Sequence, residues 1–477
     1  MTDAGICRLA SGRRRRAALP PEASAIRITM TMHAEVARSV REAAASEVEI
    51  AGVLIVGVSE TPGEIRLLVR EFHSANSYEL QTPAELRLAP SAYMPALARA
   101  HRLGASALFL HSHPTAEPSA SPCDDVVDDQ LRSVFQIRTR SALYGSMVVR
   151  IVNGEIEFTG RLWREEDLVG PVVLLRELGE RFVFTSAIDA PVPLPAPAVF
   201  NRQVLAFGEA VQQLLRQLHI GVVGAGGTGS AIGEQITRSG VGHITIVDDQ
   251  ALEDTNVTRV YGSAMSEVGV DKVDVFELNA DRIGLGTNVS KLRRKVDRTA
   301  LDALQACDVI FVCTDDHSGR FDVARLAYWC LIPVFDLGAQ FDPVDSPQQG
   351  IYSRVDVMMP GTPCPQCTGL SDPDVMLAEG LPEDERAERV REGYLPGQAN
   401  RDPAVIAFTT LAAALGFGEL LVRLAGLGSG SPSRLMFYVH ERRLGRVSMP
   451  LQDHWCSRPV TWGAVRDGKR FLGSVWP

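Results

Sequence analysis

The run Gly221-Val222-Val223-Gly224-Ala225-Gly226-Gly227-Thr228-Gly229 constrains this chain more than any other feature. The apolar residues ending at Val223 read as a strand. The glycines then permit a tight turn, and the helix that follows offers its N-terminus to phosphate. A second strand, Ile244 to Val247, ends at Asp248, about where an acidic side chain binds a ribose hydroxyl. Strand and helix signals alternate from His219 to about residue 340, which predicts a doubly wound, parallel α/β sheet. Taken alone, Gly224, Gly226, Gly227, Gly229 and Asp248 fit a nicotinamide dinucleotide as well as ATP.

Nearer the N-terminus, the apolar segment Ala107 to Leu110 leads into His111-Ser112-His113. Alternation along a strand puts both imidazoles on one face, within reach of one metal ion. Ser121-Pro122 reads as a helix start and places Asp124 in the first helical turn. Two His and one carboxylate leave a fourth tetrahedral position for water, the mark of a catalytic zinc. Order and spacing (His-x-His, seven residues, Ser, two residues, Asp) resemble the JAMM motif of JAB/Mov34-type zinc metallopeptidases, and Glu49, shortly before Gly52, resembles the family's upstream Glu. The resemblance implies that His111, His113 and Asp124 hold zinc and that Glu49 moves the water proton to the leaving amine. Ser121 would donate to the oxyanion. It also implies cleavage of peptide or isopeptide bonds after the C-terminal Gly of ubiquitin-like proteins. Cys123 reads as a packing residue.

Beyond Asp248 come Asn256, Arg259, Gly269 and Lys272, then a strand, Val309 to Val312, leading to Thr314-Asp315 and Arg320. This series resembles the ThiF/MoeB and ubiquitin-activating family. A triphosphate attacked at its α-phosphorus needs an Arg and a Lys to offset developing charge, whereas a nicotinamide site has no use for them. The resemblance covers about residues 198 to 445 and implies ATP and magnesium as cofactors, with Asp315 in the magnesium position. Asn201-Arg202-Gln203 and Gly208 resemble the family's opening helix, whose Arg reaches the partner subunit's nucleotide site in a homodimer. Gln250 and Ala324 depart from the family pattern, where Asp and Asn are usual.

Cys364-Pro365-Gln366-Cys367 has the spacing of half a structural zinc site, for which His454 and Cys456 lie in a plausible place. No cysteine lies between Cys367 and Cys456, and Cys307, Cys313 and Cys330 fall in apolar segments. Activation is therefore expected to stop at an acyl-adenylate that another protein's thiol receives.

The expected organisation is a disordered tail at 1–25, a JAB α/β metallopeptidase domain at 26–165 and a linker at 166–197. A Rossmann-like ThiF-type adenylyltransferase domain follows at 198–450, with a C-terminal tail at 451–477. Residues 372–401, charged and punctuated by Gly and Pro, read as an exposed insertion. A net charge of −10 gives no reason to expect nucleic acid. Glu419 and Arg423 make the apolar stretch Ala404–Leu427 a buried helix and no membrane span. Eight cysteines without a signal peptide suggest a reducing cytoplasm. The expected partner is a ubiquitin-like or sulfur-carrier-like protein ending in Gly, with a conjugating enzyme where the pathway is conjugation. Sulfur transfer for cofactor synthesis and a non-catalytic scaffold are the alternatives.

Overall fold

In β1 (Arg27–His33), Ile28, Met30 and Met32 alternate with Thr29 and Thr31, yet both sets are buried. A strand buried on both faces needs a second layer outside the first, and this chain supplies one from its other half. The computed structural model describes residues 26–342, 350–391, 403–428, 430, 432–447 and 449–465. The tail expected at 1–25 lies outside them.

After β1 come α1 (Ala34–Ala44), β2 (Ala51–Thr61), β3 (Glu64–Ser74), β4 (Tyr78–Gln81) and β5 (Leu86–Leu88). Next are α2 (Met94–Leu103), β6 (Ser106–Ser112), α3 (Pro122–Thr139), β7 (Leu143–Val152) and β8 (Glu155–Arg164). Residues 166–197 correct the expected linker, because β9 (Asp167–Leu178) and β10 (Phe182–Ser186) belong to the same sheet. The order is β1-β3-β2-β6-β7-β8-β9-β10, and β9 also pairs with β1, which closes the sheet on itself. The switch falls at Gly170-Pro171: β9 pairs β8 through residues 167–171 and β1 from Val172 on. Proline lacks a ladder donor, so it suits this changeover. Helices α2 and α3 cover the outer face around Ala51, Val53, Phe109 and Tyr144.

The C-terminal half opens with α4 (Asn201–Phe207), α5 (Glu209–Gln217), β11 (His219–Val223), α6 (Gly227–Arg238) and β12 (His243–Val247). It continues with α7 (Lys272–Ile283), β13 (Asn288–Leu292), α8 (Arg298–Leu304), β14 (Val309–Val312), α9 (His317–Trp329) and β15 (Val334–Phe341). Then come β16 (Ile351–Met358), α10 (Pro373–Glu379), α11 (Glu383–Arg391), α12 (Ile406–Ala425), β17 (Arg434–Tyr438) and β18 (Arg443–Val447). The sheet order is β13-β12-β11-β14-β15-β16-β17-β18, parallel through β15 and antiparallel beyond it. This is a doubly wound α/β sheet with a topological switch between β11 and β14, where such folds bind ligands.

Helix α12 is long and apolar enough to cross a membrane by length and composition. In the fold it packs on α6, β15 and β16. Its fully buried Arg423 bonds Glu419 at 2.8 Å and the Gly179 carbonyl at 3.0 Å.

Residues 451–465 correct the expected C-terminal tail. Cys456 is fully buried, Trp462 packs on His33, and Gly463 lies so close to Gly57 that a Cβ there would sit 1.9 Å from the Gly463 carbonyl oxygen. The part of the expected insertion at 392–401 lies outside the described residues, while α10 is held against α9 through Glu379.

The halves meet at the N-terminal end of the parallel strands. Arg176 pairs with Asp308 at 2.7 Å and Glu64 at 2.9 Å. Arg66 pairs with Glu64 at 2.8 Å and donates to the Cys307 carbonyl at 2.9 Å. Burial alone would raise the Glu64 carboxyl, but Arg66 and Arg176 hold it well below the usual carboxylate range. Removing one member leaves buried guanidinium charge uncompensated. Asp308→Ala should therefore cost about 3 kcal/mol of stability, read as a shift in denaturant unfolding; a loss below about 1 kcal/mol, the worth of an exposed pair, would show that this cluster does not hold the halves together.

Candidate functional site

Among the described residues, three groups of side chains could do chemistry. The first lies at the C-terminal end of β6. Ala51 pairs with His111 across β2 and β6, so Glu49 falls just beyond the strand start, beside the histidines. Glu49 is anchored on both sides: its N–H donates to the Thr82 carbonyl at 2.9 Å, and the Gln81 amide donates to its carbonyl at 3.0 Å. Ser121 caps α3, accepting from Asp124 N at 3.3 Å, while Asp124 Oδ2 accepts from Ser121 N at 2.6 Å. That capping box aims the carboxylate at the imidazoles and leaves the Ser121 hydroxyl proton free to donate elsewhere.

His111 Nε2 lies 3.2 Å from His113 Nε2 and 3.0 Å from Asp124 Oδ1, and His113 Nε2 lies 3.8 Å from Asp124 Oδ2. Zinc with bonds of about 2.0–2.1 Å has ligand–ligand edges near ~3.3 Å, so the set fits a metal ion. His113 Nδ1 donates to the Glu117 carbonyl at 3.2 Å, which turns the Nε2 lone pair toward the cluster. His111 Nδ1 is buried without such a partner. Burial raises the Glu49 carboxyl, with His111 opposing and Asp124 adding to the shift. Cys123 is half-buried one residue before Asp124.

The second group joins residues far apart in sequence. Cys364 Sγ lies 3.6 Å from Cys367 Sγ and 3.3 Å from His454 Nδ1, and Cys367 Sγ lies 3.6 Å from Cys456 Sγ. These are close to the ~3.8 Å edges of a tetrahedron with Zn–S bonds of about 2.3 Å. Four closed ligands of this type suit a structural metal ion. The Cys456 thiol is pulled down by hydrogen bonds from Cys364 and His454 against its burial.

The third group surrounds the glycine loop at the far end of the sheet from the N-terminal half. Gly224 has φ +91°, and an added Cβ would sit 3.0 Å from the Cys313 carbonyl oxygen. At Gly229 a Cβ would meet the Gly224 carbonyl oxygen at 1.7 Å, so a side chain there would push the loop off α6. Beside Gly226 there is open space, in front of the unpaired amides that begin α6. Asp248 clasps the loop: one oxygen accepts from Ala225 N at 2.7 Å and the other from Gln250 N at 2.8 Å. Arg259 lays its stem over Gly227, with Cδ 3.2 Å from a Cβ there, and donates to the Thr255 carbonyl at 2.9 Å. Asn256 is buried and closes its own turn by accepting from Glu253 N at 3.2 Å. Lys272 begins α7, and its ammonium donates to Gln250 Oε1 at 2.7 Å. Asp315 is exposed beyond the end of β14, next to the segment that abuts Gly224.

Two residues differ from their sequence setting. Arg320 turns inward, bonding Asp336 at 2.7 Å and the Thr314 carbonyl at 2.7 Å, so it braces the Asp315 turn from behind. Arg202 is exposed on α4, whose neighbour Gln203 donates to the Arg238 carbonyl at the C-terminal end of α6. It therefore lies about 18 Å, the length of α6, from its own glycine loop.

Glu379 was not legible in the sequence. It accepts from His317 N at 3.0 Å, Ser318 N at 2.8 Å and Ser318 Oγ at 2.7 Å, closing the N-terminus of α9 beside Asp315. Burial and Glu379 together push the Asp316 carboxyl up. No periodic signal marks such a contact between helices 60 residues apart.

Among curated proteins, the chain is 40% identical over 78 residues to tRNA threonylcarbamoyladenosine dehydratase of Bacillus subtilis (strain 168), covering 16% of this chain and 31% of that protein. It is 25% identical over 228 residues to ubiquitin-like modifier-activating enzyme 5 of Arabidopsis thaliana, covering 43% and 49%. It is 30% identical over 143 residues to adenylyltransferase and sulfurtransferase UBA4 of Yarrowia lipolytica (strain CLIB 122 / E 150), covering 29% and 36%. The chain thus spans about half or less of the length of these relatives. A crystal structure of E. coli MccB with succinimide aligns with a TM-score of 0.42 at 19% identity, over 54% of this chain and 73% of that one. The ThiF family model matches residues 200–451, more than half of the sequence and all of the glycine-loop site. This chain belongs to the ThiF family.

Proposed function

We propose that the C-terminal half adenylates the C-terminal Gly of a ubiquitin-like or sulfur-carrier-like protein. A carboxylate oxygen of that Gly attacks the α-phosphorus of ATP, the bond to the oxygen bridging the β-phosphate breaks, and pyrophosphate leaves an acyl-adenylate. The amides that begin α6, Arg259 and Lys272 offset the charge on the phosphates, and Asp315 would hold magnesium. The observation that carries this reading is the convergence on one loop of the Asp248 clasp, the Arg259 stem and the β14 end bearing Asp315. The acceptor is another protein's thiol, as in conjugation, because Cys307 and Cys330 are buried and burial pushes their thiols well up. Cys313 is pushed up in the same way behind the loop.

A second activity is supported by the cluster on β6 and α3. A zinc ion held by His111, His113 and Asp124 would supply a polarised water. Glu49 takes a proton and returns it to the leaving amine, while Ser121 donates to the carbonyl oxygen. The N-terminal half is thus a JAB-type peptidase that trims a precursor to its Gly or removes the modifier from targets. Cys364, Cys367, His454 and Cys456 would hold a second, structural zinc that ties residues 454–465 to the sheet.

The protein acts as a homodimer in which Arg202 completes the partner's nucleotide site. Helix α4 has no buried residue, and Leu205 on it is 86% and Val199 in the turn before it 65% exposed, apolar surface that a second copy would cover.

Glu49→Gln should keep two zinc ions per chain by metal analysis yet lose most cleavage of a ubiquitin-like fusion ending in Gly, whereas Cys364→Ser should keep one. Unchanged cleavage by Glu49→Gln would sink the peptidase reading. Pyrophosphate exchange into ATP should appear only with a carrier whose C-terminal Gly is free, without any thiol-sensitive adduct on the enzyme. Arg259→Ala, Lys272→Ala and Asp315→Ala should each lower it about 100-fold; exchange that survives all three places the nucleotide elsewhere. Mixing Arg202→Ala with Asp315→Ala subunits should restore about a quarter of wild-type exchange, from counting intact sites in a symmetric dimer. No recovery despite proven subunit exchange would mean Arg202 acts in its own subunit or not at all.

A further inference from the structure

Helix α3 begins beyond the C-terminal end of β6 and runs back over the sheet, and Asp128 is where it is fastened. That side chain is 3% exposed. Its carboxylate accepts from Tyr144 Oη at 2.8 Å, Ser146 Oγ at 2.9 Å and Arg161 Nη2 at 2.5 Å. The other terminal nitrogen of Arg161 donates to Asp125 Oδ1 at 2.6 Å, so one guanidinium of β8 holds two residues of α3. Further contact is apolar, through Val127, Leu131, Val134 and Phe135. Apolar contact is non-directional and does not by itself fix how far a helix has slid along a sheet. A buried ion pair is a poor device for stability, since apolar residues of similar volume often do as well; fixing a register is its best-attested use.

The register fixed here is the one the metal ligands need. His111 pairs with Val148 on β7, which pairs with Thr159 on β8. Two residues earlier on β6, Phe109 pairs with Ser146, which pairs with Arg161. Ser146 and Arg161 therefore stand one row back from His111 on the same face, about 6.6 Å along the strand. Asp124 lies four residues before Asp128, on the same face of α3 and about 6 Å along its axis. The two spacings agree to within about 1 Å. With Asp128 seated on Ser146 and Arg161, Asp124 falls opposite His111, and its Oδ1 is 3.0 Å from His111 Nε2. A slip of one residue would turn Asp124 by about 100°, away from the histidines.

Resting on the reading of the β6 and α3 cluster as a zinc site, we propose that Asp128 is a positioning residue of the peptidase centre. It acts through Tyr144, Ser146 and Arg161, which set the register of α3 on the sheet and so present Asp124 as the third ligand. The division of labour is plain: the capping box of Ser121 orients the Asp124 side chain within its turn, and Asp128 places that turn on the sheet.

The test is the zinc affinity of the full chain, read by equilibrium dialysis against a graded series of chelator, for wild type, Asp128→Asn and Asp124→Ala. Zinc still held by Asp124→Ala belongs to the Cys364 site and is subtracted. Asp128→Asn keeps the volume but turns an amide N–H toward groups that are themselves donors. Kd for zinc at the His111 site should therefore rise about tenfold, while the Cys364 site is unchanged. The comparison is Phe135→Leu, which loosens the same helix without touching its polar anchor; it should lower the unfolding midpoint and leave Kd for zinc nearly as in wild type. An unchanged Kd in Asp128→Asn, or an equal rise in both variants at equal loss of unfolding midpoint, would overturn the assignment and leave Asp128 a stabilising group only. Should Asp128→Asn not fold, Tyr144→Phe removes a single donor and should raise Kd about threefold; no rise overturns it again. Wild type that holds no more zinc than Asp124→Ala would instead remove the zinc reading itself, and the assignment with it.

Discussion

Arg66 and Arg176, gathered on Glu64 and Asp308, decide how the two halves of this molecule are joined. The four side chains are almost entirely removed from solvent, so each cation needs its anions. Asp308 also accepts from His219 N at 2.9 Å, which ties the cluster to the first strand of the parallel sheet. The N-terminal half therefore sits on the strand-N-terminal end, and the glycine loop is left at the other. On the opposite side of the interface, β2 runs from Gly57, against Gly463, to Ala51, beside His111, about 20 Å along the strand. The metal-ligand cluster and the nucleotide loop thus lie on different sides of the junction, each at the end of a rigid strand.

The same device recurs in the cluster on β6 and around the glycine loop: a helix start supplies geometry that a loop alone would not. Ser121 and Asp124 cap α3 reciprocally and thereby orient a metal ligand. Gly226 and Gly227 begin α6 with amides facing open space. Asp316 accepts from Gly319 N at 2.7 Å at the start of α9, directly after Asp315. Only the Cys364, Cys367, His454 and Cys456 cluster departs from this pattern, and its work is to fasten the end of the described chain beneath α9, where Tyr328 donates to the Thr362 carbonyl at 2.9 Å.

Local signals made much of this readable. The loop at 221–229, the strand ends before Asp248 and Asp315, and His-x-His with Ser-Pro-x-Asp are contiguous patterns whose periodicity fixes which side chains meet. What the sequence hid depends on contacts across long separations. β9 and β10 were obscured because Gly170 and Pro171 interrupt alternation where the strand changes partners. His454 and Cys456 are candidates from their place alone, and only the fold carries them across about 90 residues to Cys364 and Cys367. Glu379 looks like an ordinary surface residue until the fold brings it to the start of α9. Arg320 reads as part of the nucleotide series, yet Asp336 at the centre of the sheet draws it inward.

If both centres act on one modifier in sequence, the two halves are linked by the product of the first. The most direct measurement is radiolabelled pyrophosphate exchange with a carrier extended beyond its C-terminal Gly, compared with the same carrier already trimmed. Wild type should support exchange with both, and Glu49→Gln only with the trimmed carrier. Exchange by Glu49→Gln with the extended carrier at the wild-type rate, or none by wild type with the trimmed one, would contradict the coupling of a peptidase to an adenylating domain.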